Sequence, residues 1–204
     1  MTIRFHKGDL PDLSAYAGDS VAIDTETLGL NPHRDRLCLV QLSPGDGSAD
    51  IVQIAAGQTE APNLATLIAD DAKLKIFHYA RFDIAVLFKA FGVMAGPLYC
   101  TKIASKLTRT YTDRHGLKDL VKELLDVDIS KQAQSSDWAA ERLSDAQIAY
   151  AASDVLYLHA LKAALDQRLA RERRTELAAA CFMFLPARAL LDLAGWPDED
   201  IFAH

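Results

Sequence analysis

Val21-Ala-Ile-Asp24-Thr25-Glu26-Thr27 decides how this chain is read. The apolar Val-Ala-Ile run has the character of a buried strand, and the acids that follow sit where that strand emerges from its sheet, ahead of a loop containing Gly29. Strand side chains alternate, so Asp24 and Glu26 share one face while Thr25 points away. An Asp-x-Glu pair by itself more often marks an edge or a loop. Burying carboxylates without a partner costs several kcal/mol, however, and a divalent cation is the natural remedy.

Working outward, Thr2 to His6, Leu37 to Leu42, Ile51 to Ile54 and Leu74 to Phe77 read as further short strands bounded by turn residues. Asn63 to Ala69 and Phe82 to Phe91 read as helices, the second closed by Gly92. Beyond Tyr99 the pattern turns helical. Leu117, Leu120, Val121 and Leu124 give an amphipathic segment over 116–125. Ser144-Asp-Ala-Gln147 forms a capping box ahead of what reads as the longest helix, with an apolar stripe from Ile148 to Leu165. A last helix from about Thr175 to Leu193 should kink at Pro186. The expected class is α/β, a mixed sheet flanked by helices with a helical C-terminal half.

Two more acids join the first pair. Asp83 follows Arg81-Phe82, and Tyr150-Ala-Ala-Ser-Asp154 places a phenol and a carboxylate one helical turn apart on one face. Asp24, Glu26, Asp83 and Asp154 are all hard oxygen ligands with no His/Cys cluster, which suits two divalent cations, Mg²⁺ or Mn²⁺, better than zinc. A pair of such ions can hold a scissile phosphate between them, so the constellation reads as a two-metal phosphodiesterase site. In that reading Asp24 bridges both ions, Glu26 and Asp154 serve the first, and Asp83 steadies the second. Tyr150, with an ordinary pKa of about 10, is suited to orienting the attacking water rather than deprotonating it.

The chain has 204 residues, half of them apolar, and a net charge of −6. That is enough for one good core, so one domain is expected over 1–204. The acidic balance argues against wrapping long nucleic acid by counterion release alone. Even so, 101–122 carries six basic residues (Lys102, Lys106, Arg109, Arg114, Lys118, Lys122) against Asp113 and Asp119. Such a run is usually a solvated face, and its Thr, Tyr and His content makes a phosphate-contacting loop the competing reading. Cys38, Cys100 and Cys181 fit reduced core thiols. With no signal-peptide pattern at the start and no expected membrane-length apolar run, a cytoplasmic protein is anticipated.

Asp24-Thr-Glu26, Phe82-Asp83 and Tyr150-x-x-x-Asp154, in that order, resemble the three motifs of the DEDDy branch of 3′-5′ exonucleases, implying a ribonuclease H-like exonuclease fold and two metal ions. Ser135-Ser-Asp-Trp138, Leu143-Ser144 and Tyr150-Ala-Ala-Ser-Asp-Val-Leu-Tyr-Leu158 are similar to ribonuclease D-like proteins. His78 departs from the Asn of proofreading members, and the helical RNA-binding domains of full ribonuclease D proteins are missing. Together with 25–36, 100–116 and the Ile201-Phe-Ala-His204 ending, the short length resembles the nanoRNase C type of bacterial diribonuclease, or oligoribonuclease. That resemblance implies hydrolysis of very short RNAs, chiefly 5′-phosphorylated dinucleotides, by a homo-oligomeric ring such as an octamer. The helix and tail over about 175–204, bearing Trp196, Ile201 and Phe202, should dock on a neighbouring subunit, with packing on their own domain the alternative. The resemblance also makes Leu30 a candidate wedge between two bases, a role as sequence-tolerant as stacking, with ordinary packing the alternative. Lys102, Lys106, Arg109, Arg114 and His115 are candidates to cap a 5′-phosphate, and Thr27 and His78 complete the expected substrate contacts. Two competitors stand beside this reading: a general ribonuclease D-like exonuclease trimming longer RNA or DNA, and a non-catalytic nucleotide-binding module.

Overall fold

The computed structural model describes residues 2–130, 133 and 135–204. Its centre is a six-stranded mixed sheet. The strands are β1 (Thr2–Lys7), β2 (Ser20–Thr27), β3 (Leu37–Ser43), β4 (Ser48–Gln53), β5 (Leu74–Phe77) and β6 (Leu98–Cys100), in the spatial order β1-β4-β3-β2-β5-β6. β3 runs antiparallel to both β2 and β4, while the β1–β4, β2–β5 and β5–β6 pairs are parallel. Every residue of β3 is buried, as expected for a strand covered on both faces.

Among the described residues there are seven α-helices: α1 (Pro62–Ala69), α2 (Ala80–Phe91), α3 (Thr101–Thr108), α4 (Leu117–Leu125), α5 (Asp145–Leu156), α6 (Leu158–Arg171) and α7 (Thr175–Ala194). α5 packs across β2, β3 and β4, and α2 packs against β2, β3 and β5. Gly92 ends α2 in the left-handed conformation, φ 69°, which a residue without Cβ adopts at little cost. The Ser144/Gln147 capping box is formed at the start of α5.

Three expectations need correction. The long helix after Ser144 is two helices, broken at Tyr157 (φ −102°, ψ −4°) without any Pro or Gly to mark the break. The longest helix is instead α7, 20 residues, which continues through Pro186. By length and composition alone α7 is also apolar enough to cross a membrane, contrary to the expectation that no such run exists. Here it buries Ala178, Phe182, Leu185 and Ala189 against α2, β6, α3 and α6, and its Asp192 is paired with Arg81 of α2 and Arg188. The three cysteines are free thiols.

Candidate active site

β2 carries the first two acids to the floor of a cleft of about 280 Å³. The strand leaves its β3 register between Glu26 and Thr27, a local irregularity of the kind that re-aims side chains beside functional sites. Asp24 and Glu26 look toward α5, which brings Asp154 to meet them. One carboxylate oxygen from each of the three lies within 4.8 Å of the others, a spacing that a single cation could satisfy.

Asp83 arrives on α2. It lies in the first turn of α2, is 4 % exposed, and accepts a 2.6 Å hydrogen bond from the Thr25 hydroxyl, the side chain that alternates away from Asp24 and Glu26. It is not among the three acids whose oxygens lie within 4.8 Å of one another, yet its charge raises the pKa of Asp24, Glu26 and Asp154. The residue that begins this turn, Tyr79, is held at φ 81°, a strained conformation for an aromatic residue.

The electrostatics follow from burial. Loss of water, then the neighbouring acids, hold the Asp24 carboxyl well above the carboxylate range, and the same causes push Glu26 up to about 9. Asp83 and Asp154 are raised chiefly by burial, against the opposing effects of Thr25 and of Tyr150 respectively. The Tyr150 phenol is also raised, first by burial and then by Asp154, Glu26 and Asp24, so it stays protonated. Among the described residues none of these four acids has a basic partner, and together they call for positive charge. Their all-oxygen donor set fits a hard divalent cation.

Among the cleft-lining side chains are Lys102, Lys118, His78 and Leu117. Burial brings His78 down to about 3, so its ring is neutral, with Nδ1 2.9 Å from the Thr101 hydroxyl. Lys102 lies over the Tyr79 ring, 4.1 Å from its centroid. Of the five proposed phosphate contacts only Lys102 lines the cleft. Arg109 is 1 % exposed and bound to Glu123, to Ser105 Oγ and to the Arg114 carbonyl, so it organises the 109–116 loop from inside. His115 is tied to Ser105, and Lys106 and Arg114 line neighbouring depressions. The Thr27 hydroxyl donates to the Gly29 carbonyl, shaping the loop that leaves Leu30 87 % exposed. Lys118 was not singled out beyond its place in the basic run. Its amphipathic helix gave the signal, since its neighbour Leu117 faces the same cleft.

A 3′-5′ exonuclease family profile matches residues 12–170. The chain is 70 % identical to Brucella melitensis NrnC bound to pGG, covering 100 % of this chain and 99 % of that one with a TM-score of 0.98. The structure of the same Brucella protein with bound Mg²⁺ superposes with a TM-score of 0.97 at 69 % identity, over the whole of both chains. Ribonuclease D from Gluconacetobacter diazotrophicus is 38 % identical over 156 residues, 76 % of this chain and 39 % of that protein. Escherichia coli RNase D, an exoribonuclease involved in structured RNA processing, is 25 % identical with a TM-score of 0.76 over 86 % of this chain and 46 % of that one. The chain thus spans less than half the length of these ribonuclease D proteins and the full length of the Brucella protein.

Proposed function

The chain belongs to the 3′-5′ exonuclease family, and from that premise we propose that it is an exoribonuclease hydrolysing very short RNAs, chiefly 5′-phosphorylated dinucleotides, to mononucleotides. The observation that carries this reading is the convergence of Asp24, Glu26 and Asp154 within 4.8 Å at a cleft also lined by Lys102 and Lys118. End-to-end similarity to a protein captured with pGG supports the choice of substrate.

Asp24, Glu26 and Asp154 would hold one divalent cation and Asp83, with Asp24, a second, Mg²⁺ or Mn²⁺. Bound there, the ions supply positive charge that polarises the scissile phosphate and makes water a competent nucleophile at neutral pH. Tyr150, protonated, donates a hydrogen bond that orients the attacking water. Lys102 and Lys118 offset phosphate charge, and neutral His78 offers a hydrogen bond without adding charge. Leu30 presents apolar surface that can slip between two bases whatever their identity.

The reading extends to assembly. Leu177, Met183, Phe184 and Leu190 on α7, with Trp196 and Phe202 beyond it, are exposed apolar residues, and Phe202 stacks on Phe184 at 5.9 Å. Such a surface suits contact with another copy of the chain in a homo-oligomeric ring. Sedimentation of the protein checks this: a monomer at micromolar concentration defeats it.

The substrate claim is tested by a Mg²⁺-dependent time course comparing a 5′-phosphorylated dinucleotide with RNAs of increasing length. Dinucleotide turnover should exceed that of the longer chains by at least tenfold. Equal turnover at all lengths would instead favour a general trimming exonuclease.

A further inference from the structure

β3 is fully buried and otherwise apolar up to its last residue, except for Gln41 at its centre. Gln41 is 0 % exposed, and among the described residues neither its Nε2 nor its Oε1 has a hydrogen-bond partner. A buried amide with both ends unmet is destabilising, and a leucine would serve the strand better, so its presence asks for a ligand.

Its place in the sheet indicates which ligand. Gln41 is the direct antiparallel partner of Asp24. Residues opposed in this way project to the same face with Cβ atoms about 5 Å apart. Gln41 therefore lies under α5 on the side that receives Tyr150 and Asp154, beside Asp24. Among the described residues, no side-chain donor is hydrogen-bonded to Asp24, whereas Asp83 has Thr25.

Resting on the exonuclease reading above, we propose that Gln41 is a positioning residue for Asp24: its Nε2 donates to the Asp24 carboxylate when the centre carries its ions, fixing which oxygen Asp24 turns toward the cleft. Groups that orient a ligand's outer oxygen commonly govern metal affinity or activity by 10–100-fold. Glu26, one turn of the pleat further out, lies opposite Leu39 and has no such neighbour.

The experiment compares parent, Gln41→Leu and Gln41→Met, the unbranched variant standing in if the branched one packs poorly. Mn²⁺ binding to the intact protein without substrate is measured by calorimetry, dinucleotide turnover at saturating ion is measured in parallel, and Tm is recorded for each. Expected are Mn²⁺ binding at least tenfold weaker, turnover at least tenfold slower, and a Tm equal to or above the parent's because unmet polar atoms have been removed. Binding and turnover within about twofold of the parent would overturn the assignment and leave Gln41 as a site for a trapped water. A loss of binding that tracks a fall in Tm in both variants overturns it as well, since Gln41 would then act only through the fold. Should the parent itself bind no Mn²⁺, the exonuclease reading falls together with this one; binding that the variants retain sinks this one alone.

Discussion

Two aspartates, Asp50 on β4 and Asp24 on β2, share a sheet and have opposite surroundings. Asp50 is encircled by donors: Arg4 Nε and Nη2 at 2.7 Å, His6 Nε2 at 2.7 Å and the Tyr16 hydroxyl at 2.6 Å. Burial alone would raise its pKa, but the hydrogen bonds from Arg4, Tyr16 and His6 outweigh that and bring it to about 2. Asp24 is driven upward, first by loss of water and then by Asp83, Asp154 and Glu26. Loss of water pushes both carboxyls upward, so burial alone does not decide the outcome. What separates a structural carboxylate from one kept for chemistry is whether the fold itself supplies the opposing charge.

The sharpest contrast comes from removing one charge in each region. Asp24→Asn should lower dinucleotide turnover by at least about 10³-fold, because a metal ligand is lost, while Tm stays level or rises as like-charge repulsion falls. Asp50→Asn leaves Arg4 facing a neutral partner and should cost about 3 kcal/mol, the low end for a broken buried pair since Arg4 is 38 % exposed. That corresponds to a Tm drop of roughly 10 °C for a chain of this size, with turnover per folded molecule unchanged. Turnover assays and thermal melts on both variants check the pair. A stability loss in Asp24→Asn matching that of Asp50→Asn would erase the distinction.

The same contrast should appear as pH dependence in the metal-free protein. Carboxyls with a raised folded pKa bind more protons folded than unfolded, so their contribution to stability is complete below about pH 4 and is lost as pH climbs through the raised values. Glu26, at about 9, sets the upper end of that window. Asp50 runs the other way: its contribution is complete above about pH 4 and is lost as pH falls through about 2. Melts in chelator should therefore show Tm declining from about pH 5 toward pH 9, and saturating Mg²⁺ should flatten that decline. An identical slope with and without Mg²⁺ would mean that the cluster does not take up the ion.

Local pattern carried much of this architecture. The apolar run into Asp24-Thr-Glu26, the Ser144/Gln147 capping box and the Gly92 helix end all follow from neighbours within a few residues, and each is formed. Features set by distant partners were not legible. Arg109 sits in a polar, basic run that looks solvated, yet its guanidinium is enclosed by Glu123 from the next helix. Gln41 looks like a stray polar residue until β3 is laid beside β2 in register. The break at Tyr157 has no Gly or Pro to announce it. Asp83 could be named as an acid of the set, but its hydrogen bond from Thr25 belongs to the packing of α2 on the sheet.

The finest version of the comparison uses one atom. Tyr16 and Tyr150 each stand beside a buried aspartate, Asp50 and Asp154, and both phenols are raised chiefly by burial. Tyr16→Phe deletes one of the donors that keep Asp50 ionised. A hydrogen bond to a charged group contributes about 1.5–3 kcal/mol, and the Arg4 and His6 contacts that remain put the expected loss near the lower figure, with turnover untouched. In Tyr150→Phe the acid loses a donor in a region already short of them, but burial raises that acid to about 7, so it carries less charge for the donor to stabilise than Asp50 does, and stability should hardly move. What disappears is the hydrogen bond that orients water, for a loss of roughly 10²-fold in turnover with little change in KM, since an orienting contact acts in the transition state. Melts and steady-state kinetics on the two variants read these outcomes directly. If Tyr150→Phe destabilises as much as Tyr16→Phe while retaining full turnover, Tyr150 is a packing residue, and water orientation passes to another group in the cleft.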